Sequence, residues 1–168
     1  GNVTLTTDAG NGVINMGTLQ QSAGDLILVT NGNGAATVVN NAAIDFGTSN
    51  VRGALSATAS AGTITQNGGA LTVAGTSAFT TSADNQAITL GDTSNALTGA
   101  VAFTTGGTTG NVTIDNGTTA LDLAASTISG TLSATGGASA GIVDSGNVAV
   151  AGNVTLTTDA GNGVINMG

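Results

Sequence analysis

Apolar and polar residues alternate over short runs along the whole chain, and turn-forming residues separate the runs. The alternating apolar pairs include Val3/Leu5, Leu71/Val73, Ile88/Leu90, Val112/Ile114, Leu121/Leu123 and Val148/Val150. A period of two over three to five residues predicts a short strand with one buried face. Turn-formers such as DAGNG at 8–12 and DNG at 115–117 supply the positive φ values that sharp corners need.

The chain repeats itself on two long scales. Residues 1–17 recur unchanged at 152–168, which gives a period of 151 residues (152 − 1), with residues 152–168 starting the next copy. Within the period, residues 49–91 align with 126–168, and about 17 of the 43 positions are identical. The period 1–151 therefore divides into two diverged half-repeats of about 74–77 residues.

A shorter repeat marks individual coils. An apolar residue next to Thr, Ser or Ala recurs at Leu5, Leu28, Leu55, Phe79, Phe103, Leu132 and Leu156. Successive spacings are 23, 27, 24, 24, 29 and 24 residues, so six coils of about 25 residues fill the period. Strands this short cannot bury their apolar faces alone, whereas stacked coils pair each backbone with its neighbours.

The predicted fold is all-β: a right-handed parallel β-helix, or β-solenoid, with about 25 residues and three short strands per coil. Residues 1–168 form one continuous solenoid segment in this interpretation. An immunoglobulin-like sandwich also has strands every 8 to 12 residues, but it does not explain a repeat at 23 to 29 residues. The predicted interior columns comprise Leu5, Ile14, Met16, Leu28, Leu55, Phe79, Ile88, Leu90, Phe103, Leu121, Leu123, Leu132, Ile165 and Met167.

Composition narrows the functional classes. The chain is 40% apolar and only 6% charged, which favours folding over disorder. The net charge of −8, with Arg52 as the only basic side chain, disfavours nucleic acid and anionic membrane. Cysteine is absent, so disulfides and thiolate metal sites are excluded. No apolar run is long enough for a membrane helix, and we expect any export signal to lie outside these residues.

The repeat phrases GALTVAGTSAFTTSADNQAITLG, SNALTGAVAFTTG and TALDLAASTISGTLSATGG resemble the repeats of filamentous haemagglutinin-like proteins. These are giant adhesins of Gram-negative bacteria, exported by two-partner secretion or related routes. The resemblance covers essentially the whole chain and rests on repeat pattern, not on a catalytic motif. It implies a secreted or outer-membrane-associated shaft at the bacterial cell surface, with roles in adhesion, aggregation or biofilm formation.

No enzymatic site is predicted. The chain lacks His, Lys, Tyr and Cys, so scattered Asp residues are the only general bases available. Asp45 and Asp122 stand between apolar neighbours and are predicted to point outward as solvated charges. Asp8 and its copy Asp159 precede Ala-Gly-Asn-Gly and are interpreted as turn residues, and Arg52 as a surface charge. We predict no catalytic, cofactor-binding or metal-binding residues.

Weak calcium binding at corners is left open, because Asp84-Asn85 and Asp115-Asn116 offer side-chain oxygens. Turn formation explains the same residues. Asn31, Asn33, Asn85, Asn95 and Asn116 at turns are expected to form stacked ladders.

Two structural functions remain, a passive adhesin shaft and a self-assembling extracellular filament. Ice binding is a weaker alternative: Thr80, Thr104 and Thr135 are expected to form a partial column, but a Thr-x-Thr pair beside the coil landmark occurs only in the duplicated coil. Neither terminus has a polar cap sequence. The expected partners are therefore further coils of the same protein or copies stacked end to end, with any host or cell-surface ligand bound by regions outside these residues.

Overall fold

Parallel strand pairing builds the chain into a β-solenoid, as seen in a computed structural model. The structure describes residues 1–137, 141–159, 161 and 163–168. All strand pairs in this part of the chain are parallel, and no α-helix occurs in it. The solenoid makes about seven turns. The predicted all-β solenoid is thereby confirmed.

The strands are short because each ends where the chain turns a corner. In chain order they are β1 (Val3–Thr6), β2 (Ile14–Leu19), β3 (Leu26–Val29), β4 (Ala36–Asn40), β5 (Ile44–Phe46), β6 (Ser49–Val51), β7 (Leu55–Ala59), β8 (Ile64–Gln66), β9 (Leu71–Val73), β10 (Ser77–Asp84), β11 (Ile88–Leu90), β12 (Ala96–Leu97), β13 (Val101–Gly106), β14 (Val112–Asp115), β15 (Leu121–Leu123), β16 (Ser126–Ile128), β17 (Leu132–Gly136), β18 (Ile142–Asp144), β19 (Val148–Val150), β20 (Val154–Thr158) and β21 (Ile165–Asn166).

Hydrogen bonds join strands of successive coils, never strands that follow directly in sequence. In the described residues one sheet has 11 strands, with the main path β12-β9-β6-β3-β5-β8-β11-β14-β17-β20 and β1 paired with β3. The other has 10 strands and follows β2-β4-β7-β10-β13-β15-β18-β21, with β16 paired to β13 and β19. Most strands thus pair with the coil before and the coil after them, whereas in the described residues β1, β2, β12, β19, β20 and β21 each pair with one strand.

The coil length differs from the prediction. Paired residues are about 22 positions apart, not 25. The spacing ranges from 19, between Ala36 and Leu55, to 24, between Ile88 and Val112. Corners of different length absorb this variation while the strands keep their register. At about 22 residues per coil the 151-residue period holds about seven coils (151/22), not the predicted six.

The predicted landmark residues do not form one column. Leu5 pairs with Leu28, and Phe79 pairs with Phe103, as expected. Leu55, however, lies beside Ser77 and not beside Phe79. Leu132 and Leu156 do not lie in the sheet that contains Phe103 but in the other sheet. There Leu132 pairs with Val112 and Val154, and Leu156 pairs with Ala134. The prediction was wrong here because a two-residue alternation looks the same on every strand, so spacing alone cannot assign a strand to its sheet.

Large apolar side chains fill the interior. Phe79 packs between two other rings, edge to face with Phe46 at 6.2 Å and stacked on Phe103 at 5.8 Å between centroids. Of the predicted interior residues, those buried are Ile14, Leu28, Leu55, Phe79, Ile88, Leu90, Phe103, Leu121, Leu123 and Leu132. These ten predictions are confirmed.

The other four predicted interior residues lie in the two outermost coils. Leu5 and Met16 are half-buried and pack against the core. Ile165 and Met167 are 45% and 39% exposed, so their prediction as interior residues was wrong. The cause is geometric, because an apolar column is sealed only where a coil lies on both sides.

Candidate functional site

Chemistry-bearing side chains do not converge anywhere in the described part of the chain. No cavity of pocket size is found there, and no group of three or more His, Cys, Asp or Glu side chains lies close enough together to hold a metal ion. Within the same residues no helix is long and apolar enough to cross a bilayer. Asp8 and Asp159 are exposed at their turns, and Arg52 is exposed as well.

The two carboxylates predicted to face outward do alternate with buried neighbours, but they are only half solvated. Asp45 accepts a hydrogen bond of 3.1 Å from the hydroxyl of Thr65 on the next coil. Asp122 is half-buried, and its Oδ1 has no hydrogen-bond partner. The predicted outward orientation is confirmed for both residues, but their solvation is only partial because the neighbouring coils cover part of each side chain.

The corner oxygens considered for calcium already serve the backbone. Asn85 adopts a left-handed conformation with φ of 63°, and its Oδ1 accepts from the amides of Thr108 and Thr109. The Oδ1 of Asp115 accepts from the amide of Gly117 at 2.9 Å. The Asp115 oxygen thus closes its own turn as an ordinary Asx residue, whereas the Asn85 oxygen joins its corner to the corner of the following coil.

A different set of polar residues is the distinctive feature of this fold, because it is buried. The buried polar residues are Thr30, Asn40, Ser49, Ser77, Thr81, Asn95, Thr105, Asn116 and Ser126. A buried polar group costs free energy unless it is hydrogen bonded. Most of these side chains bond to the backbone of the coil above or below, and three kinds of contact occur twice.

The first recurrent contact is an asparagine that joins two coils. Asn116 is fully buried; its Oδ1 accepts from the amide of Leu97 at 2.8 Å, and its Nδ2 donates to the carbonyl of the same residue at 3.0 Å and to Ala120 at 2.8 Å. Asn40 makes the same three bonds, with Gln21 and Ala43 as partners. In both cases the partner amide lies 19 residues earlier in the chain.

The second recurrent contact is a serine placed where one straight strand meets two strands of the next coil. Leu26 of β3 pairs with Phe46, and Val29 of β3 pairs with Asn50. The next coil therefore advances four residues where β3 advances three, so it carries one extra residue. The Oγ of Ser49 accepts from the Leu28 amide at 3.0 Å, which supplies the acceptor that the extra residue removes from the ladder.

The same arrangement recurs on β13. Val101 pairs with Leu123, and Thr104 pairs with Thr127, so the next coil again carries one residue more than the strand it pairs with. Here the Oγ of Ser126 accepts from an amide of β13, that of Phe103, at 3.0 Å and donates to the Ala124 carbonyl at 2.8 Å.

The third recurrent contact is a buried threonine at a corner. The hydroxyl of Thr105 donates to the Gly110 carbonyl at 2.8 Å and accepts from the Ser129 amide at 3.0 Å. Thr30 makes the equivalent bonds to Gly34 and to the amide of Arg52. Each hydroxyl ties its own corner to the corner of the following coil.

The three contacts recur at nearly constant spacing. Thr30 and Thr105 are 75 residues apart (105 − 30), Asn40 and Asn116 are 76 apart (116 − 40), and Ser49 and Ser126 are 77 apart (126 − 49). Sequence reasoning singled out Asn116 as a turn residue and missed the others. The signal that could have found them is the same polar residue type recurring at the half-repeat spacing.

Asn95 was predicted as a turn residue in a stacked asparagine ladder, but its side chain pairs with a glutamine. Its side chain is 2% exposed and makes two hydrogen bonds with the side-chain amide of Gln66. The Asn95 Oδ1 accepts from Gln66 Nε2 at 2.6 Å, and the Asn95 Nδ2 donates to Gln66 Oε1 at 3.0 Å. Its Oδ1 also accepts from the Leu71 amide, and its Nδ2 donates to the Asp115 carbonyl. One side chain therefore connects the coils on both sides of it.

Replacing Ser126 by Ala should destabilise the protein by about 1–3 kcal/mol, because the buried Phe103 amide loses its acceptor. Ser133 is exposed and provides a matched serine control, whose replacement by Ala should change stability by less than about 0.5 kcal/mol. Urea unfolding monitored by circular dichroism measures both. Equal urea midpoints for the two variants would show that the hydrogen bond from the Phe103 amide to the Ser126 hydroxyl does not stabilise the fold.

Outward threonines align differently from the predicted partial column. Thr80 pairs with Thr104, as expected, but Thr104 continues to Thr127. Thr135 lies in the other sheet, beside Thr157, so its prediction as a member of that column was wrong. Two outward columns of six residues occur in the described part of the chain. One comprises Val39, Thr58, Thr80, Thr104, Thr127 and Ala149. The other comprises Asp45, Thr65, Thr89, Thr113, Ser133 and Thr155.

Comparison with known proteins places the chain among repeat sequences. A family model described as Repeats of unknown function (DUF5649) matches residues 33–104 and again residues 109–168. No curated protein and no solved structure matches the chain significantly. The first matched segment contains Asn40 and Ser49, and the second contains Asn116 and Ser126.

Proposed function

We propose that this chain, which belongs to the family described as Repeats of unknown function (DUF5649), is a structural shaft segment of a secreted bacterial surface protein. The observation that carries the proposal is the use of the buried polar side chains. Asn40, Asn116, Ser49 and Ser126 bind backbone groups of adjacent coils. Side-chain chemistry devoted to joining coils is what a stiff, extended element requires.

The finer architecture is part of the proposal. Three strands per coil are supported by the sets β4-β5-β6, β7-β8-β9 and β10-β11-β12, in which each strand pairs with its counterpart three strands later. The right-handed sense is supported by the strong preference of parallel β crossovers for that hand. The single continuous segment, its 151-residue period and its half-repeats of about 74–77 residues complete the organisation.

The surface location is supported by composition and by resemblance. A chain with no cysteine and a net charge of −8 suits a protein that crosses membranes unfolded and remains soluble outside the cell. The repeat phrases resemble those of filamentous haemagglutinin-like adhesins. In this proposal the shaft holds a binding region away from the cell for adhesion, aggregation or biofilm formation, and it has no enzymatic activity or cofactor of its own.

A self-assembling extracellular filament is the second candidate, because parallel coils stack through the same backbone pairing whether the next coil belongs to the same chain or to another copy. In the shaft the repeats follow one another in one chain, whereas in the filament separate copies supply them. Ice binding is weaker, because the outward threonine column is one residue wide on the three-residue strand β11.

Fusing one, two and four periods in one chain tests the shaft. About 22 residues per coil and about 4.8 Å per coil predict that each added 151-residue period lengthens the particle by about 33 Å at constant width. Electron microscopy and solution scattering measure both dimensions. Particles that grow in width, or that resemble flexibly linked beads, would contradict a shaft.

A further inference from the structure

The dipeptide Asn-Gly is a chemically labile feature of this chain. It occurs six times, beginning at Asn11, Asn31, Asn33, Asn67, Asn116 and Asn162, the last of which lies outside the described residues. Asparagine is among the thermolabile residues of proteins. In Asn-Gly the glycine nitrogen can attack the asparagine side-chain carbonyl carbon, since glycine has no side chain to obstruct the approach. The attack requires an unbonded asparagine side chain and an unbonded glycine amide.

Hydrogen bonds hold three of these pairs at the first corners of the solenoid. The Oδ1 of Asn11 accepts from the amide of Asn33 at 2.8 Å. The Nδ2 of Asn31 donates to the carbonyl of Thr7 at 2.6 Å. The amide of Gly34, which follows Asn33, donates to the carbonyl of Asn31 at 2.9 Å. Each of the three pairs therefore has at least one of its two reacting groups engaged.

The pair Asn116-Gly117 is held most completely. Asn116 is fully buried, and its side-chain amide makes three hydrogen bonds to backbone groups. The amide of Gly117 donates to the Oδ1 of Asp115 at 2.9 Å. Both the carbonyl carbon that would be attacked and the nitrogen that would attack are thus fixed in other contacts.

The pair Asn67-Gly68 differs from the other four. It lies at the corner between β8 and β9, and both residues are exposed. Among the described residues no hydrogen-bond partner is found for the Asn67 side chain or for the Gly68 amide. Gly68 has φ of 86°, and a Cβ built there would meet no atom within 4 Å. Both reacting groups are therefore open to each other and to water.

We propose that Asn67 is a site of spontaneous modification, at which the folded chain converts asparagine to aspartate and isoaspartate. The Gly68 nitrogen forms a bond to Cγ of Asn67, the Cγ–Nδ2 bond breaks, and Nδ2 leaves as ammonia with the proton from the Gly68 amide. Water then opens the succinimide ring. Opening at the side-chain carbonyl gives aspartate, whereas opening at the main-chain carbonyl gives isoaspartate, in which the backbone runs through the side chain.

The modified corner is directly joined to a buried polar network. The Nε2 of Gln66 donates to the Gly69 carbonyl and to the Oδ1 of Asn95, each at 2.6 Å. The amide of Asn67 donates to the Phe46 carbonyl at 3.3 Å. Isoaspartate adds one methylene to the backbone between these anchored groups, so their hydrogen bonds cannot all keep their geometry. The modification therefore loosens the contact between the coils around Asn95.

The two half-repeats differ at this corner. The strands β18 and β19 correspond to β8 and β9, and the corner between them, residues 145–147, reads Ser-Gly-Asn. Serine cannot form the succinimide ring, so this corner is inert. The modification thus marks one half-repeat only. It goes beyond the shaft function and does not depend on it, because it follows from the local contacts of one corner.

A protease that cleaves before aspartate separates the asparagines for measurement. Asp45 and Asp84 place Asn67 on the fragment 45–83, and Asp115 and Asp122 place Asn116 on the fragment 115–121. The intact folded chain would be kept in warm, mildly alkaline buffer, digested at intervals and analysed by mass spectrometry for the replacement of NH by O. An isoaspartyl methyltransferase would label the isoaspartate product.

The fragment 45–83 should convert at least about tenfold faster than the fragment 115–121, because conversion of the buried pair first requires local opening of the fold. In concentrated urea the two fragments should convert at similar rates, since the same dipeptide is then accessible in both. Asn67→Ser introduces the residue type of the inert corner and should abolish conversion of the fragment 45–83. The amide of Leu71 donates to the Oδ1 of Asn95, and its hydrogen exchange should become faster in the aged parent but not in aged Asn67→Ser.

Two results would overturn the assignment of this site. One is conversion of the fragment 45–83 no faster than that of 115–121 in the folded chain. The other is faster conversion of the fragments 8–24 or 25–44, which carry the remaining described pairs. Unchanged exchange of the Leu71 amide after conversion would overturn the coupling to the buried network.

Discussion

Changing Leu90 to Asp should unfold several coils at once. Leu90 is fully buried and pairs with Ile114 on the next coil, so the carboxylate would stand in an apolar column with no partner. Burying an uncompensated charge costs several kcal/mol, and we expect a loss of more than about 4 kcal/mol in unfolding free energy. Thermal melts and urea unfolding by circular dichroism measure it.

The matched control lies one residue away. Thr89 is exposed on the same strand, so Thr89→Asp adds the same charge to the outer face. Its melt should stay within a few degrees of the parent. A Leu90→Asp melt that matches the parent or the control would mean that the inward and outward faces of β11 are assigned the wrong way round.

Changing Asn116 to Asp should cost about 3–5 kcal/mol although the side chain keeps its shape. The carboxylate can still accept from the Leu97 amide, but it cannot donate to the carbonyls of Leu97 and Ala120. Two buried carbonyls would then face a negative charge. Urea unfolding measures the loss, and hydrogen exchange should show faster exchange of the Leu97 amide.

Two further variants make this prediction specific. Asn40→Asp should show a similar loss, because Asn40 makes the same three bonds one half-repeat earlier. Asn147→Asp changes an exposed turn residue and should be nearly neutral. Equal stability of all three variants would contradict the role assigned to the buried asparagines.

The sequence predicted the parallel solenoid because two signals agree. Alternation at positions such as Ile88 and Leu90 identifies strands, and the repeats require those strands to stack. Ten interior residues were predicted correctly for the same reason. Ile165 and Met167 were not, because burial depends on the coil that covers a residue and not on the residue alone.

The register of the strands was harder to predict from the sequence than the fold. The coil spacing varies from 19 to 24 residues, so a landmark that advances by a fixed step drifts from one sheet to the other. Leu55 illustrates the failure: it shares its local pattern with Leu28 yet pairs with Ala36 and Ser77. Only the hydrogen-bond partners distinguish the strands.

The buried polar contacts could not be predicted from the residue types alone either. Asn40, Ser49 and Ser126 belong to residue types that are ordinary at turns, so composition assigns them to the surface. Their function depends on amides that lie 19 to 23 residues earlier in the chain. No local window contains both partners.

The register of the stacked coils is the central claim, and distances along one outward column test it most directly. Ile64 pairs with Ile88, so the residues that follow them, Thr65 and Thr89, are neighbours in one outward column. Asp45, Ser133 and Thr155 lie in the same column. Spin labels on cysteines at 45 and 133 span four coil steps, and labels at 45 and 155 span five.

Pulsed electron resonance should therefore give narrow distance distributions near 19 Å for positions 45 and 133 and near 24 Å for positions 45 and 155, at about 4.8 Å per step. Broad distributions, or a second distance no longer than the first, would contradict the stacked coils.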